Sequence, residues 1–392
     1  MILQVNKTAT MSDKFLLFCR KCSPALFFLL VLQVNSLQAQ FDPVSKWLQN
    51  NIKDLGGRAV VLIYKDGKVL YNHAENDMSG LQKFAGKRVA EKQGKDSEAL
   101  VKDFDSHTKI LIASCSKWLS AALVMTFVDD GSLKLEDSVG KYLPVMTANG
   151  KGHIKIWHCL SHLTGIKTPP LREGIQQITS TRTMDAAIEK IALNPMEGEP
   201  GKIFHYSNAG LQIAAAVIEK ISGKDFKTLF RERITIPCEM PDTDFGKANV
   251  PLAAGGASST ATDYLHFLSM MLNNGQYNGK RVLSEASVAA MQVNRISADC
   301  TLAYTPAEAA GWGYGFGEWV SPACELLTKQ AWPCTEINTR SSFASSPGLF
   351  GSFPWIDNEK KYAGILLTFG FKSKGRNERY RTLKKLVDAA VE

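Results

Sequence analysis

The chain has no apolar run of the ~20 residues that a membrane-spanning helix needs. Internal repeats and low-complexity tracts are also absent, which excludes solenoid and array architectures and low-complexity disorder. No Gly-x-Ser-x-Gly occurs, so the nucleophile elbow of the Ser-His-Asp hydrolases is missing. Charge of one sign is in only mild surplus, 46 Lys and Arg against 38 Asp and Glu in 392 residues. Lys7, Lys14, Arg20 and Lys21 against Asp13 account for part of that excess, and the remainder does not imply a nucleic-acid partner. His158 and His162 stand four apart around Cys159. No carboxylate or second cysteine pair joins them, so neither a metal nor another cofactor is expected.

An apolar fraction of 45% and a charged fraction of 21% are those of an ordinary globular protein. The length suits one large domain or two interleaved ones. The first 40 residues differ in kind. Lys14, Arg20 and Lys21 precede Ala25-Leu26-Phe27-Phe28-Leu29-Leu30-Val31-Leu32, and Ser36-Leu37-Gln38-Ala39-Gln40 follows. This basic, apolar, small-residue order predicts a secretory signal over residues 1–40, cleaved near Ala39 or Gln40. The expected location is therefore periplasmic or secreted, with no stable membrane span after cleavage. Export would allow oxidation of the cysteines beyond it, Cys115, Cys159, Cys238, Cys300, Cys324 and Cys334, and Cys324 with Cys334 is the preferred pair.

Along the chain, Phe41 to Leu55 reads as an amphipathic helix through Val44, Trp47, Leu48 and Ile52. Ala59–Tyr64 and Lys68–Tyr71 flank Lys65-Asp66-Gly67 as a β-hairpin. Residues 75–107 are polar and predict a surface excursion. Helical periodicity runs from Ser114 to about Leu229 and returns over Ala261–Asn273. Gly311–Gly317, Leu349–Ile356 and Tyr362–Phe369 read as strands, and Arg376–Val391 as a closing helix. Strands at both ends with helices between predict a mixed α/β (α+β) fold. An antiparallel sheet is built from both termini and flanked by helices, and a mostly helical domain is inserted. The boundaries expected within 41–392 are a sheet subdomain at about 41–113 and 290–392 and a helical subdomain at about 114–289.

Two short patterns carry chemistry. Ser114 and Lys117 lie three apart at the start of an apolar helical run, so they share one face. A lysine can take a serine's proton only if burial or a nearby cation lowers its pKa from about 10.4 toward neutrality. Tyr206-Ser207-Asn208 precedes the helix Ala209–Ile221, and its phenol and amide can both point into one cleft as proton relay and carbonyl donor.

In conjunction these patterns resemble those of the penicillin-recognising serine hydrolases, in particular the class C β-lactamase and D-alanyl-D-alanine carboxypeptidase-like family with its esterase relatives. Ser114–Lys117 is similar to the family's Ser-x-x-Lys and Tyr206–Asn208 to its Tyr-x-Asn. Gly131–Pro144 looks like the segment after the nucleophile helix. Leu160-Ser161-His162-Leu163-Thr164-Gly165 resembles the His-x-x-Gly loop, and Gly255–Asp263 the Gly-Gly…Ser-Thr-Ala-x-Asp segment. The resemblance runs from about Asp42 to the end. It implies a β-lactamase/transpeptidase-like fold in which Ser114 is acylated, Lys117 and Tyr206 serve as base and relay, and Asn208 orients substrate. Which of Lys117 and Tyr206 takes the first proton is left open by the sequence.

The third family motif, Lys-Thr-Gly or His in place of Lys, has no counterpart. Aligning on Gly348 puts Ser346-Pro347-Gly348 there, with the Leu349 N–H as the second oxyanion donor beside that of Ser114. A register three residues earlier puts Phe343-Ala344-Ser345 there instead. Neither supplies the cation that meets a substrate carboxylate, unless Arg340 substitutes. The expected substrate is thus a small-molecule ester or peptide-like amide, with β-lactamase or D-amino-acid peptidase activity still open. The competing reading is a catalytically silent binding protein of the same fold that holds peptidoglycan or a partner. Trp312, Phe316, Trp319, Trp332 and Trp355 either line an acyl or sugar site or pack the core. Oligomeric state is not legible.

Overall fold

A computed structural model describes residues 39–321, apart from 93 and 95, and residues 339–392. The expected signal segment up to residue 38, the expected Cys324–Cys334 pair and Trp332 lie outside the described residues. Seven strands form the main sheet: β1 (Arg58–Lys65), β2 (Lys68–Asn76), β3 (Gly313–Tyr314), β4 (Trp319–Val320), β5 (Phe343–Ser345), β6 (Phe353–Asp357) and β7 (Tyr362–Thr368). Their order is β2-β1-β7-β6-β5-β4-β3, every pairing antiparallel, so residues from the two ends of the chain meet at β1–β7.

The apolar run of β1 serves two cores. Ala59, Val61 and Ile63 enter one and Val60 and Leu62 the other, as alternation along a strand requires. Such a strand belongs inside a sheet, and β1 is paired on both sides. The hairpin to β2 turns on Asp66 (φ +51°) and Gly67 (φ +78°), both left-handed, as a two-residue type I′ loop needs. One sheet face is covered by α1 (Asp42–Asn51) with Val44, Trp47 and Leu48 buried. Helix α2 (Ser116–Asp129) is buried on every side from Ser116 to Phe127, which places it in the centre of the molecule. It packs on α3 (Ala209–Ser222), while α4 (Ala261–Leu272) lies against β7, β6 and β1. Helix α5 (Arg376–Ala390) joins α1 on the first face through Tyr380, Leu383 and Val387. No helix among the described residues is long and apolar enough to cross a membrane.

Three local expectations change. The strand read as Leu349–Ile356 starts only at Phe353, because the Gly348 N–H bonds back to Ser352 O at 2.8 Å and Gly351 (φ +98°) closes a turn. The alternating Gly311–Gly317 contributes only Gly313–Tyr314, since the chain reverses at Gly317 (φ +77°) into β4. The excursion over 75–107 contains a helix, Gly80–Lys92, that buries only Ala90 and so lacks an apolar stripe to read.

Gly317 is a tight point. A Cβ there would lie 2.5 Å from Lys117 O and 2.5 Å from Ala121 Cβ, in a left-handed backbone. Gly317→Ala is expected to cost about 2–3 kcal/mol from backbone strain and overpacking. The check is a lower denaturant midpoint at unchanged slope.

Candidate active site

Ser114 stands on a single 3-10 turn, Ala113–Cys115, between the extended pair Ile110–Leu111 and α2. Ala113 takes φ +47°, a conformation that an alanine holds only when its surroundings impose it. The restraint is visible: Ser116 Oγ donates to Ala113 O at 2.6 Å and accepts from the Ala257 N–H at 3.0 Å. Ile112 N–H donates to Ala257 O at 3.0 Å, so the turn is fastened to the Gly255–Ser259 segment. Ser116, adjacent to the reactive pattern in sequence, therefore shapes the elbow.

Lys117 lies one turn further and is 1% exposed. Its Nζ is 3.1 Å from Ser114 Oγ, 2.8 Å from Ala254 O and 3.5 Å from Asn208 Oδ1. Burial pulls its pKa down to about 7. A neutral amine has two N–H donors and one lone pair. In the neutral form, with those donors on the carbonyl and the amide oxygen, the lone pair turns to the serine hydroxyl, whereas the ammonium form donates to it.

Tyr206 follows the short strand Ile203–His205, and its N–H donates to Tyr304 O at 3.1 Å. Lys117 Nζ sits 4.6 Å from its ring centre, and the Ser114 side chain beside the phenol favours its ionisation slightly. Burial drives this phenol well above its ordinary pKa, so it stays protonated. The ring stacks on Trp319 at 5.1 Å and meets His162 at 4.6 Å. His162 is itself buried, and its Nε2 is 3.0 Å from Tyr314 Oη while Nδ1 accepts the Ser207 N–H at 3.4 Å. Burial, first, and then the nearby Lys117 hold it neutral. Asn208 is the N-cap of α3.

Ser114, Lys117, Tyr206 and Asn208 thus converge on one cavity of about 1140 Å³. At the third motif only part of the expectation lies in its wall. Leu349 lines the cavity with Pro347 and Phe350. Ser346 is 1% exposed, and its hydroxyl is 3.1 Å from Ser114 O and 3.2 Å from Gly317 O, where it ties β5 to the elbow. Gly348 packs beneath, where a Cβ would meet Ile112 O at 2.5 Å. Phe343–Ser345 is β5 itself, with Phe343 facing Trp312 and Phe353 in the core, so the earlier register does not reach the cavity. Arg340 supplies no cation here: its guanidinium donates to Gln292, Asn274 and Asn358. Of the aromatic residues singled out, Trp319 lines the cavity, whereas Trp312, Phe316 and Trp355 are core.

The family model described as Beta-lactamase matches residues 48–389. The chain belongs to the Beta-lactamase family. Among relatives of this family, protein Rv1367c of Mycobacterium tuberculosis is 26% identical over 301 residues, 63% of this chain and 72% of its own. The D-alanyl-D-alanine-carboxypeptidase/endopeptidase AmpH of Escherichia coli is 25% identical over 193 residues, 43% of this chain and half (50%) of its own. In fold, a candidate beta-lactamase from Bacteroides dorei superposes with TM-score 0.69 at 24% identity, covering 90% of this chain and 98% of its own. EstCE1, a hydrolase with promiscuous acyltransferase activity, does so at 0.67 and 20% identity, covering 91% and 99%. The family supports serine hydrolase chemistry in general.

Sequence reading missed several cavity residues. His205 lines the wall with Nδ1 2.6 Å from Glu197 Oε1, a pairing between residues eight apart across a turn. The Ala254 carbonyl that accepts a hydrogen bond from the amine has no side-chain signature at all. His158, by contrast, is a local cap: its Nδ1 accepts the Lys155 N–H at 3.0 Å, and burial lowers its pKa to about 4. Among the described residues no group of three or more His, Cys, Asp or Glu is placed to hold a metal.

Proposed function

We propose that the protein is a serine hydrolase that turns over an uncharged ester or peptide-like amide through a Ser114 acyl-enzyme. Lys117 Nζ takes the Ser114 proton as Oγ bonds to the substrate carbonyl carbon. The N–H groups of Ser114 and Leu349 hold the oxyanion. The proton passes through the Tyr206 phenol to the departing alcohol or amine, and the C–O or C–N bond breaks. Water, activated by the same pair, then releases the acid and frees Ser114. Asn208 orients the substrate. The observation that carries this reading is the buried amine whose Nζ lies 3.1 Å from Ser114 Oγ, 2.8 Å from Ala254 O and 3.5 Å from Asn208 Oδ1. With its phenol held protonated, Tyr206 suits the relay and Lys117 the base.

The absence of a cation at the third motif favours esters and neutral amides over β-lactams and D-amino-acid peptides, although both activities belong to the panel to be tested. The basic-apolar-small order of residues 14–40 supports export to the periplasm or medium. A fluorophosphonate probe is expected to label the wild-type protein at Ser114 and to leave Ser114→Ala unlabelled. Labelling that persists in the variant, or fails in both across several probes and esters, supports instead a silent binding protein of this fold.

A further inference from the structure

The cavity beside Ser114 has apolar walls that are in part more exposed than core packing explains. Helix Leu171–Thr179 turns Leu171, Ile175 and Ile178 toward it, spaced as one stripe of a helix. From another side come Leu349, Phe350 and Phe371, with the Phe350 and Phe371 rings 5.3 Å apart. Leu171 is 54% exposed, Leu349 45% and Phe371 77%, and all three line this one cavity. Exposed large apolar side chains that converge on a concave surface mark a binding surface.

The charged side chains on the lining are exposed or already paired. Lys167 and Lys247 are exposed rim residues. Arg376, which also lines the cavity, is already engaged: its Nη1 is 3.3 Å from Glu308 Oε1 and 2.9 Å from Leu349 O. A carboxylate deep in the cavity would have to break that pairing. Gln177, Thr179 and Ser373 are polar points along the rest of the lining, while Ser207, Asn208 and His205 are grouped around Tyr206. That is where a leaving alcohol collects its proton, so the apolar walls are left to the half of the substrate that stays on Ser114. The volume of about 1140 Å³ exceeds the roughly 300–1,000 Å³ usual for small-molecule sites.

We infer that the acyl half of the substrate is an uncharged hydrocarbon chain, seated between helix Leu171–Thr179 and the Leu349–Phe350–Phe371 edge. The inference rests on the acyl-enzyme reading above. It is tested with p-nitrophenyl acetate, butyrate, hexanoate, octanoate and decanoate, while fluorophosphonate labelling of Ser114 is measured on the same preparation. kcat/KM is expected to rise about two- to fourfold per added methylene until the cavity is filled. Leu171→Ser and Phe371→Ser replace exposed side chains and so keep the fold, and each is expected to flatten that rise. Labelled protein whose kcat/KM is level or falls from acetate onward, or that prefers D-amino-acid amides, overturns the acyl-chain inference and leaves the hydrolase reading standing. Failure of labelling together with absence of all ester turnover overturns both.

Discussion

Lys117→Ala is expected to lower the rate of Ser114 acylation by about 10²- to 10⁴-fold, the range a positioned general base supplies. The physical cause lies in the three contacts of one buried nitrogen. Without it, the hydroxyl keeps its proton and the Ala254 carbonyl loses its donor. Because alanine also opens a cavity, Lys117→Arg is the companion variant. It keeps a hydrogen-bond donor in the space, but its guanidinium stays charged and does not give up a proton near neutrality. Both variants are expected to be similarly slow in single-turnover acylation, with circular dichroism reporting a retained fold. Near-full acylation by either would reject Lys117 as the base.

Tyr206→Phe carries the second large effect, a loss of about 10²- to 10³-fold in turnover. The ring keeps its stacking on Trp319 and its contact with His162, so the deletion isolates the hydroxyl. Only the hydroxyl beside Ser114 and the path for the proton to the leaving group are lost. The same path activates the deacylating water, so the variant should accumulate an acyl adduct on Ser114 that intact mass resolves. A variant that turns over at the wild-type rate with no adduct would remove Tyr206 from the mechanism.

Much of this was legible in the sequence where local pattern and tertiary need agree. The apolar alternation of Ala59–Tyr64, the Asp66-Gly67 turn and the spacing of Ser114 and Lys117 all encode their own geometry. What was hidden depends on partners far along the chain. Trp319, which the sequence left between site and core, becomes the platform beneath Tyr206 only because the chain reverses at Gly317. Arg340, which the sequence offered as a cation, is drawn off by three amide side chains from separate segments. Ser346 sits where the family places a motif residue, yet its side chain is spent on tying two backbone carbonyls together. Main-chain groups such as Ala254 O leave no mark in residue identity.

The central claim is that an uncharged, buried Lys117 removes the Ser114 proton, and the pH profile of acylation tests it most directly. With the amine pKa pulled down to about 7, Lys117 is protonated and idle below that pH and available above it. Measured as kcat/KM for a neutral ester, acylation should rise about tenfold per pH unit up to about pH 7 and then level, since the profile reports the free enzyme's base. The Tyr206 phenol, held protonated by burial, should add no fall on the alkaline side of neutrality. A profile that is flat through pH 7, or that falls as the amine loses its proton, would contradict the account.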